Sequence, residues 1–113
     1  MKILKNTEII SNNILYANTP IKRLIGLLGR TSFNDIDGLL LTPCSQIHSI
    51  GMRFVFDAIY LDKNNKIIAL FENISHNRIL PYKLNAKSVL ELPKGSIIEK
   101  NLKIGDILDI IKE

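Results

Sequence analysis

The segment from residue 54 to residue 61 constrains the fold most, because it has the pattern of a strand with two apolar faces. Alternate side chains of a strand point to opposite faces. One row is formed by Phe54, Phe56, Ala58 and Tyr60, and the other by Val55, Ile59 and Leu61. Strands with this pattern are normally covered on both sides. We therefore expect residues 54–61 to form a strand that is buried on both faces.

Asp57 interrupts the second of these rows. A buried carboxylate needs a partner, because an unpaired buried charge is very costly. Arg53 lies four residues earlier, and if the strand extends that far back, its period of two places both side chains on one side. We predict that Asp57 is buried and that Arg53 and Asp57 form an ion pair or belong to one polar network. A purely structural pair is the alternative to a functional one.

Short apolar runs separated by turn residues continue along the chain. They occur near residues 3–4, 9–10 and 14–15, and over 38–41, 67–71, 88–92 and 107–111. The asparagine-rich segment 62–66 predicts a hairpin loop between two of them. Closely spaced strands with turn signals are typical of a mainly β domain, and we predict a small closed or partly open β-barrel.

One short amphipathic helix is predicted near residues 20–28. Thr19 is a suitable N-cap, and Pro20 suits the first helical position. Apolar side chains then recur at helical spacing on one face, at Ile21, Leu24, Ile25 and Leu28. Gly29 is placed to end the helix. We expect the apolar face to cover one end of a sheet, with Lys22 and Arg23 pointing outward.

The length of 113 residues predicts a single domain over residues 1–113. The sequence contains no apolar run of about eighteen residues, and its first residues lack the apolar core of a secretory signal. We therefore expect no membrane span and a cytoplasmic location.

The formal net charge of +4 is a mild and scattered excess, which does not favour a nucleic-acid partner. Residues 73–90 nevertheless contain no acid, while Arg78, Lys83 and Lys87 are present and His76 lies near them. We interpret this segment as a solvated basic loop, and an anion site is the alternative.

The segment 43–54 brings a thiol, an imidazole, a thioether and a guanidinium together, at Cys44, His48, Met52 and Arg53. Cys44 and His48 are four residues apart, so a nucleophilic dyad is geometrically possible. Cysteine is also often buried as a plain hydrophobic residue. Structural zinc needs more ligands than these, so we predict no metal and no cofactor. A lone cysteine also excludes an internal disulfide.

Taken in order, several segments resemble the family called domain of unknown function 192. They are RLIGLLGR at 23–30, GLLL at 38–41, IHSIGMRF at 47–54, VLELPKG at 89–95 and IGD at 104–106. The resemblance runs over nearly the whole chain and implies a compact β-rich domain without an established activity. It implies functional positions at Arg30, His48, Met52, Arg53 and Asp57. Cys44 fits only one subgroup of the family, which counts against obligatory thiol chemistry.

Three functional hypotheses follow from these residues. The first is a non-enzymatic binding module in which His48, Arg53 and Asp57, with Arg30 as a further candidate, line a polar cleft for a small anionic ligand or a peptide end. The second is a hydrolase-like enzyme that uses Cys44 or His48, although no triad can be completed with specificity. The third is a weak RNA-binding module, which has few aromatic side chains available for stacking. We favour the binding module.

Overall fold

Strands dominate the fold over residues 1–112, which a computed structural model describes. The eight strands in this range are β1 (Lys2–Lys5), β2 (Glu8–Ser11), β3 (Ile14–Ala17), β4 (Gly38–Leu41), β5 (Phe56–Leu61), β6 (Ile67–Ile74), β7 (Ser88–Pro93) and β8 (Asp109–Ile111). Two short helices accompany them, α1 (Pro20–Ile25) and α2 (Ser96–Glu99). The mainly β class predicted from the sequence is confirmed. No helix within residues 1–112 is both long enough and apolar enough to cross a lipid bilayer.

The strands form two separate sheets. The smaller sheet has the order β2-β1-β8, and the larger sheet has the order β3-β4-β7-β5-β6. Strands β3 and β4 pair in parallel, so the connection between them crosses over and carries α1. A barrel would need the edge strands β3 and β6 to pair, but among the described residues they stay at opposite edges. The predicted closed or partly open β-barrel is therefore not confirmed.

Strand β5 is buried at every position, as the two apolar rows predicted. Phe56, Ala58 and Tyr60 belong to the core on one side of the large sheet, which we call the front face. Ile59 and Leu61 belong to the core on the other side, the back face. The small sheet and α2 cover the back face, since their residues Ile3, Ile10 and Ile97 pack in that core.

The front face is covered by loops. Its core includes Leu27, Phe33 and Ile36 from the segment after α1, Ile47 and Met52 from the segment before β5, and Leu80 and Ala86 from the segment before β7. The segments before β5 and β7 are joined directly, because the N–H of Leu80 donates to the carbonyl of Ile47 over 3.1 Å. The N–H of Lys83 likewise donates to the carbonyl of Ser45 over 3.0 Å.

Asp57 is fully buried on the back face, as predicted, but its partner is not Arg53. One carboxylate oxygen accepts the N–H of Asn73 and the other accepts the N–H of Ile97 at α2, each over 3.0 Å. Strand β5 begins only at Phe56, so its alternation does not extend back to Arg53, which is exposed. The prediction that Arg53 and Asp57 form an ion pair or belong to one polar network is therefore wrong.

Helix α1 also departs from the prediction. Thr19 caps it by accepting the N–H of Lys22 over 3.2 Å, as expected, but the helix ends at Gly26 and not at Gly29. Gly26 has a φ of +48°, which glycine adopts easily, and the chain then turns so that Leu27 enters the core. The predicted apolar face does not cover the sheet, since Ile21 is 69% exposed and Leu24 is 75% exposed.

Candidate functional site

A groove of about 440 Å³ opens above the front face of the large sheet, between α1 and the segment that precedes β5. We call it the front groove. One wall consists of residues 23–28 together with Pro20, and the other consists of residues 43–48 together with Ile50 and Met52. Leu41 and Glu91, from strands β4 and β7, complete the lining.

Glu91 is the most unusual group in this groove. It lies on the central strand β7, in register with Leu39 on one side and Ala58 on the other, both of which are in the front core. Its exposed fraction is 6%, and its carboxyl group makes no hydrogen bond and no ion pair within residues 1–112. Burial raises its pKa to about 8. Glu91 therefore carries its proton at neutral pH and can donate a hydrogen bond to a molecule in the groove.

Glu91 was not among the predicted site residues, although the sequence pattern around it indicates a buried acid. Val89, Leu90 and Leu92 make both faces of this strand apolar around one acid, which is the same pattern that identified Asp57. The two acids have opposite surroundings. Asp57 accepts two backbone N–H groups on the back face, whereas Glu91 faces an open groove on the front.

Arg23 is a second residue that the sequence analysis placed wrongly, since it was expected to point outward. It is half-buried, lines the front groove and forms no ion pair with a residue of the described range. The reason is the turn at Gly26, which leaves the apolar face of α1 in solvent and brings Arg23 to the groove. An unpaired guanidinium is suited to bind a carboxylate or a phosphate.

Cys44 lies in the groove wall as a protonated thiol. Its Sγ donates to the carbonyl of Gln46 over 3.3 Å. Burial raises the pKa of the Cys44 thiol, and Glu91 in its ionised form raises it further, while the Gln46 contact and Arg23 lower it. The net effect is an upward shift, which is the opposite of what a nucleophilic cysteine requires.

His48 lies at the exposed rim of the same groove. Its Nδ1 accepts the N–H of Ile50 over 3.2 Å, so the proton of the neutral ring is on Nε2. No hydrogen bond joins His48 to Cys44 in the part of the chain that the structure describes. The two residues share a groove, but each side chain is hydrogen-bonded to a backbone group two residues further along the chain. They therefore do not form a dyad.

The other predicted site residues are dispersed. Met52 is buried and lines the groove together with His48. Arg30 instead donates a hydrogen bond to the carbonyl of Phe33 over 3.3 Å and forms an ion pair with Asp35 over 3.5 Å. It therefore stabilises the loop after α1. Arg53 is exposed outside the groove lining, and Asp57 lies on the back face. The structure does not bring His48, Arg53 and Asp57 into one cleft.

We expect the Cys44 thiol to react slowly with iodoacetamide near neutral pH, because it is partly buried and its pKa is raised. The measurement is the labelling rate of the native protein, compared with the rate after unfolding in urea. Cys44→Ala should keep the urea midpoint of the parent within about 0.5 M, since a small hydrophobic side chain is replaced by another. Native labelling as fast as that of the unfolded chain would show a reactive thiol.

Comparison with known proteins supports the resemblance noted in the sequence. Two solved structures share the fold, at TM-scores of 0.83 and 0.82, and both are 18% identical to this chain. The first is a protein of unknown function from Novosphingobium aromaticivorans, with 96% of this chain and 82% of that chain covered. The second is described as a candidate transcription regulator from Sinorhizobium meliloti, with 96% of this chain and 89% of that chain covered. Identity at this level shows a common fold alone.

A comparison with curated proteins gives no match. A family model does match, over residues 2–110, and it describes uncharacterised conserved proteins. The match extends over nearly the whole chain, from β1 to β8. The chain therefore belongs to the DUF192 family.

Proposed function

We propose that this protein is a non-enzymatic binding module whose front groove holds a small organic anion, such as a carboxylate with an apolar body or the carboxyl end of a peptide. The observation that carries the proposal is the Glu91 carboxyl group, which is nine-tenths buried, lacks a partner within residues 1–112 and faces the groove. No fully buried polar atom of a described side chain lacks a hydrogen-bond partner, so the carboxyl oxygens of Glu91 are accessible from the groove. A ligand in the groove supplies the missing partner.

The charges around the groove favour an anionic ligand. Arg23 offers a guanidinium that forms no ion pair with residues 1–112, and His48 offers its Nε2–H at the rim. Glu91, protonated at neutral pH, adds a third donor from below. Leu27, Leu41 and Met52 provide buried apolar surface for the body of the ligand. A cationic ligand would instead meet the charge of Arg23 and would need Glu91 to ionise.

The hydrolase hypothesis is less well supported by these contacts. A cysteine nucleophile needs a base that takes its proton, but the thiol of Cys44 donates to a backbone carbonyl. The Nδ1 of His48 accepts a backbone N–H, so no acid orients the ring through that atom. The RNA-binding hypothesis has no specific support either, because none of the described residues that line the groove is aromatic.

We expect a thermal-shift screen of carboxylates, phosphates and short peptides at pH 6.5 to yield ligands that stabilise the parent. A ligand present at 100 times its dissociation constant adds about 2.7 kcal/mol to the free energy of unfolding. Arg23→Gln should weaken binding about tenfold or more, since a hydrogen bond to a charged group contributes about 1.5–3 kcal/mol. Amide analogues of the carboxylate hits should bind more weakly than the acids.

The matched control for Arg23→Gln is Arg53→Gln, which changes an exposed arginine outside the groove and should leave affinity unchanged. The pH dependence gives a second check. Binding of an anion should weaken above pH 8 in the parent, because Glu91 then ionises, and this loss should be absent in Glu91→Gln. Equal ligand shifts in both arginine variants would contradict the proposal. Hits that are amines and that bind better at high pH would assign the groove to cations.

A further inference from the structure

Charge is strongly segregated along the chain. The segments 18–34, 42–56 and 73–90 contain seven of the fifteen Lys and Arg residues and both histidines, but none of the eleven Asp and Glu residues. Five of these basic side chains are exposed, namely Lys22, Arg53, Arg78, Lys83 and Lys87. None of these five forms an ion pair with a described residue. The remainder of the chain has eight basic residues against eleven acids, so its charge has the opposite sign.

The three segments lie side by side. Residues 20–28 and 43–52 form the two walls of the front groove. Residues 45–49 are hydrogen-bonded to residues 78–83, for example from the N–H of Ser49 to the carbonyl of Arg78 over 2.8 Å. These contacts place Lys22, Arg23, Arg78 and Lys83 on one continuous surface, which we call the loop end.

The loop end also exposes large apolar side chains. Leu24 is 75% exposed, Ile79 is 71% exposed and Leu84 is 80% exposed. Five more join them, namely Ile21, Ile25, Leu28, Ile50 and Tyr82. These eight are over half of the fourteen large hydrophobic residues that are exposed on the described surface. Single exposed hydrophobic residues are ordinary, but a cluster of this size marks an interaction surface.

We propose that the loop end docks onto an anionic lipid bilayer, with its exposed leucine and isoleucine side chains in the interfacial region and its lysines and arginines against lipid phosphates. Surfaces that combine apolar and basic side chains bind lipid interfaces through the burial of apolar area and through electrostatic attraction to anionic headgroups. This inference does not depend on the proposed ligand of the front groove, although the mouth of that groove opens on the same surface.

The residue pattern favours lipid over the other polyanionic partners. A nucleic acid would use the positive charges but would leave Leu24, Ile79 and Leu84 in water. Tyr82 is the one strongly exposed aromatic side chain that the three segments offer for stacking on bases.

A protein partner fits the pattern less well, because protein interfaces are depleted of lysine at their apolar core. Here Lys83 directly precedes the most exposed leucine, and Lys22 follows Ile21. A bilayer accommodates such interleaving because headgroups and acyl chains lie within a few ångströms of each other.

The test is co-sedimentation of the full chain with vesicles of phosphatidylglycerol and phosphatidylcholine in equal parts, and with vesicles of phosphatidylcholine alone. We expect binding to the anionic vesicles at low salt and its progressive loss as salt is raised. Lys22→Gln with Lys83→Gln should lower the partition coefficient about twentyfold or more, since each basic residue near the surface contributes about fivefold. Leu24→Ser with Leu84→Ser should lower it about tenfold or more.

The matched control is Ile98→Ser with Ile104→Ser, because these residues are 73% and 68% exposed but lie in segments that contain acids. This variant should bind vesicles as the parent does.

The proposal is overturned if the parent does not bind anionic vesicles, or if the control variant loses as much binding as the loop-end variants. A third outcome also overturns it. The parent does not bind vesicles, light scattering shows that it is a dimer, and Leu24→Ser with Leu84→Ser converts that dimer to a monomer. The surface then joins two copies of the chain. Urea midpoints equal to that of the parent show that the leucine variant is folded, and the lysine variant tests the proposal without changing an apolar contact.

Discussion

Replacing Glu91 by glutamine is expected to remove a loss of stability that the parent shows between pH 5 and pH 8. Burial raises the pKa of Glu91 from 4.5 to about 8 in the folded protein. In this range the unfolded chain has lost the proton while the folded chain still holds it, so the free energy of unfolding falls as pH rises. Each pH unit contributes about 1.4 kcal/mol, so we expect a loss of roughly 3–4 kcal/mol over the range.

Urea denaturation of the parent and of Glu91→Gln at both pH values measures this effect. Glutamine has no proton to lose, so the variant should be more stable than the parent at pH 8 and close to it at pH 5. Glu72→Gln is the matched control, since Glu72 is an exposed glutamate of β6 and its replacement should leave the pH dependence as in the parent. If the parent and Glu91→Gln differ by the same amount at both pH values, Glu91 is not a buried acid with a raised pKa.

Asp57→Ala is expected to lower the free energy of unfolding by about 3–5 kcal/mol. The change leaves the N–H groups of Asn73 and Ile97 without their acceptor. An unsatisfied buried donor costs about 1–3 kcal/mol, which applies in full to the buried Ile97 bond and only in part to the more exposed Asn73 bond. It also opens a small cavity in the back core, which adds to the loss. The total is a large part of the roughly 5–15 kcal/mol that stabilises a domain of this size.

Arg53→Ala separates this explanation from the ion pair that the sequence suggested. Because Arg53 is exposed and does not contact Asp57, its removal should change stability by no more than about 0.5 kcal/mol. Urea midpoints of the two variants at pH 7 provide the comparison. An equal loss in Asp57→Ala and Arg53→Ala would restore the ion pair, and an unchanged midpoint in Asp57→Ala would show that its two hydrogen bonds do not stabilise the fold.

The two buried acids show how far a local pattern can be interpreted. Apolar neighbours on both faces of β5 predicted that Asp57 is buried, and the same pattern on β7 predicts burial of Glu91. Burial follows from the pattern because the alternation of a strand is a property of the backbone itself. The hydrogen-bond partner of each acid does not follow from the local pattern. Ile97 is forty residues away from Asp57, and only the packing of α2 on the back face brings its N–H to the carboxylate.

Neighbours along the chain were enough to predict the strands, the hairpin loop at 62–66, the cap of α1 at Thr19 and the burial of β5 on both faces. Which groups meet depends instead on the packing of the whole chain. It placed Arg23 and Glu91, far apart in sequence, in one groove with Cys44 and His48, and it left the apolar face of α1 in solvent. The physical reason is that a helix of six residues has too little apolar surface to fix its own orientation, so the turn at Gly26 and the burial of Leu27 set it.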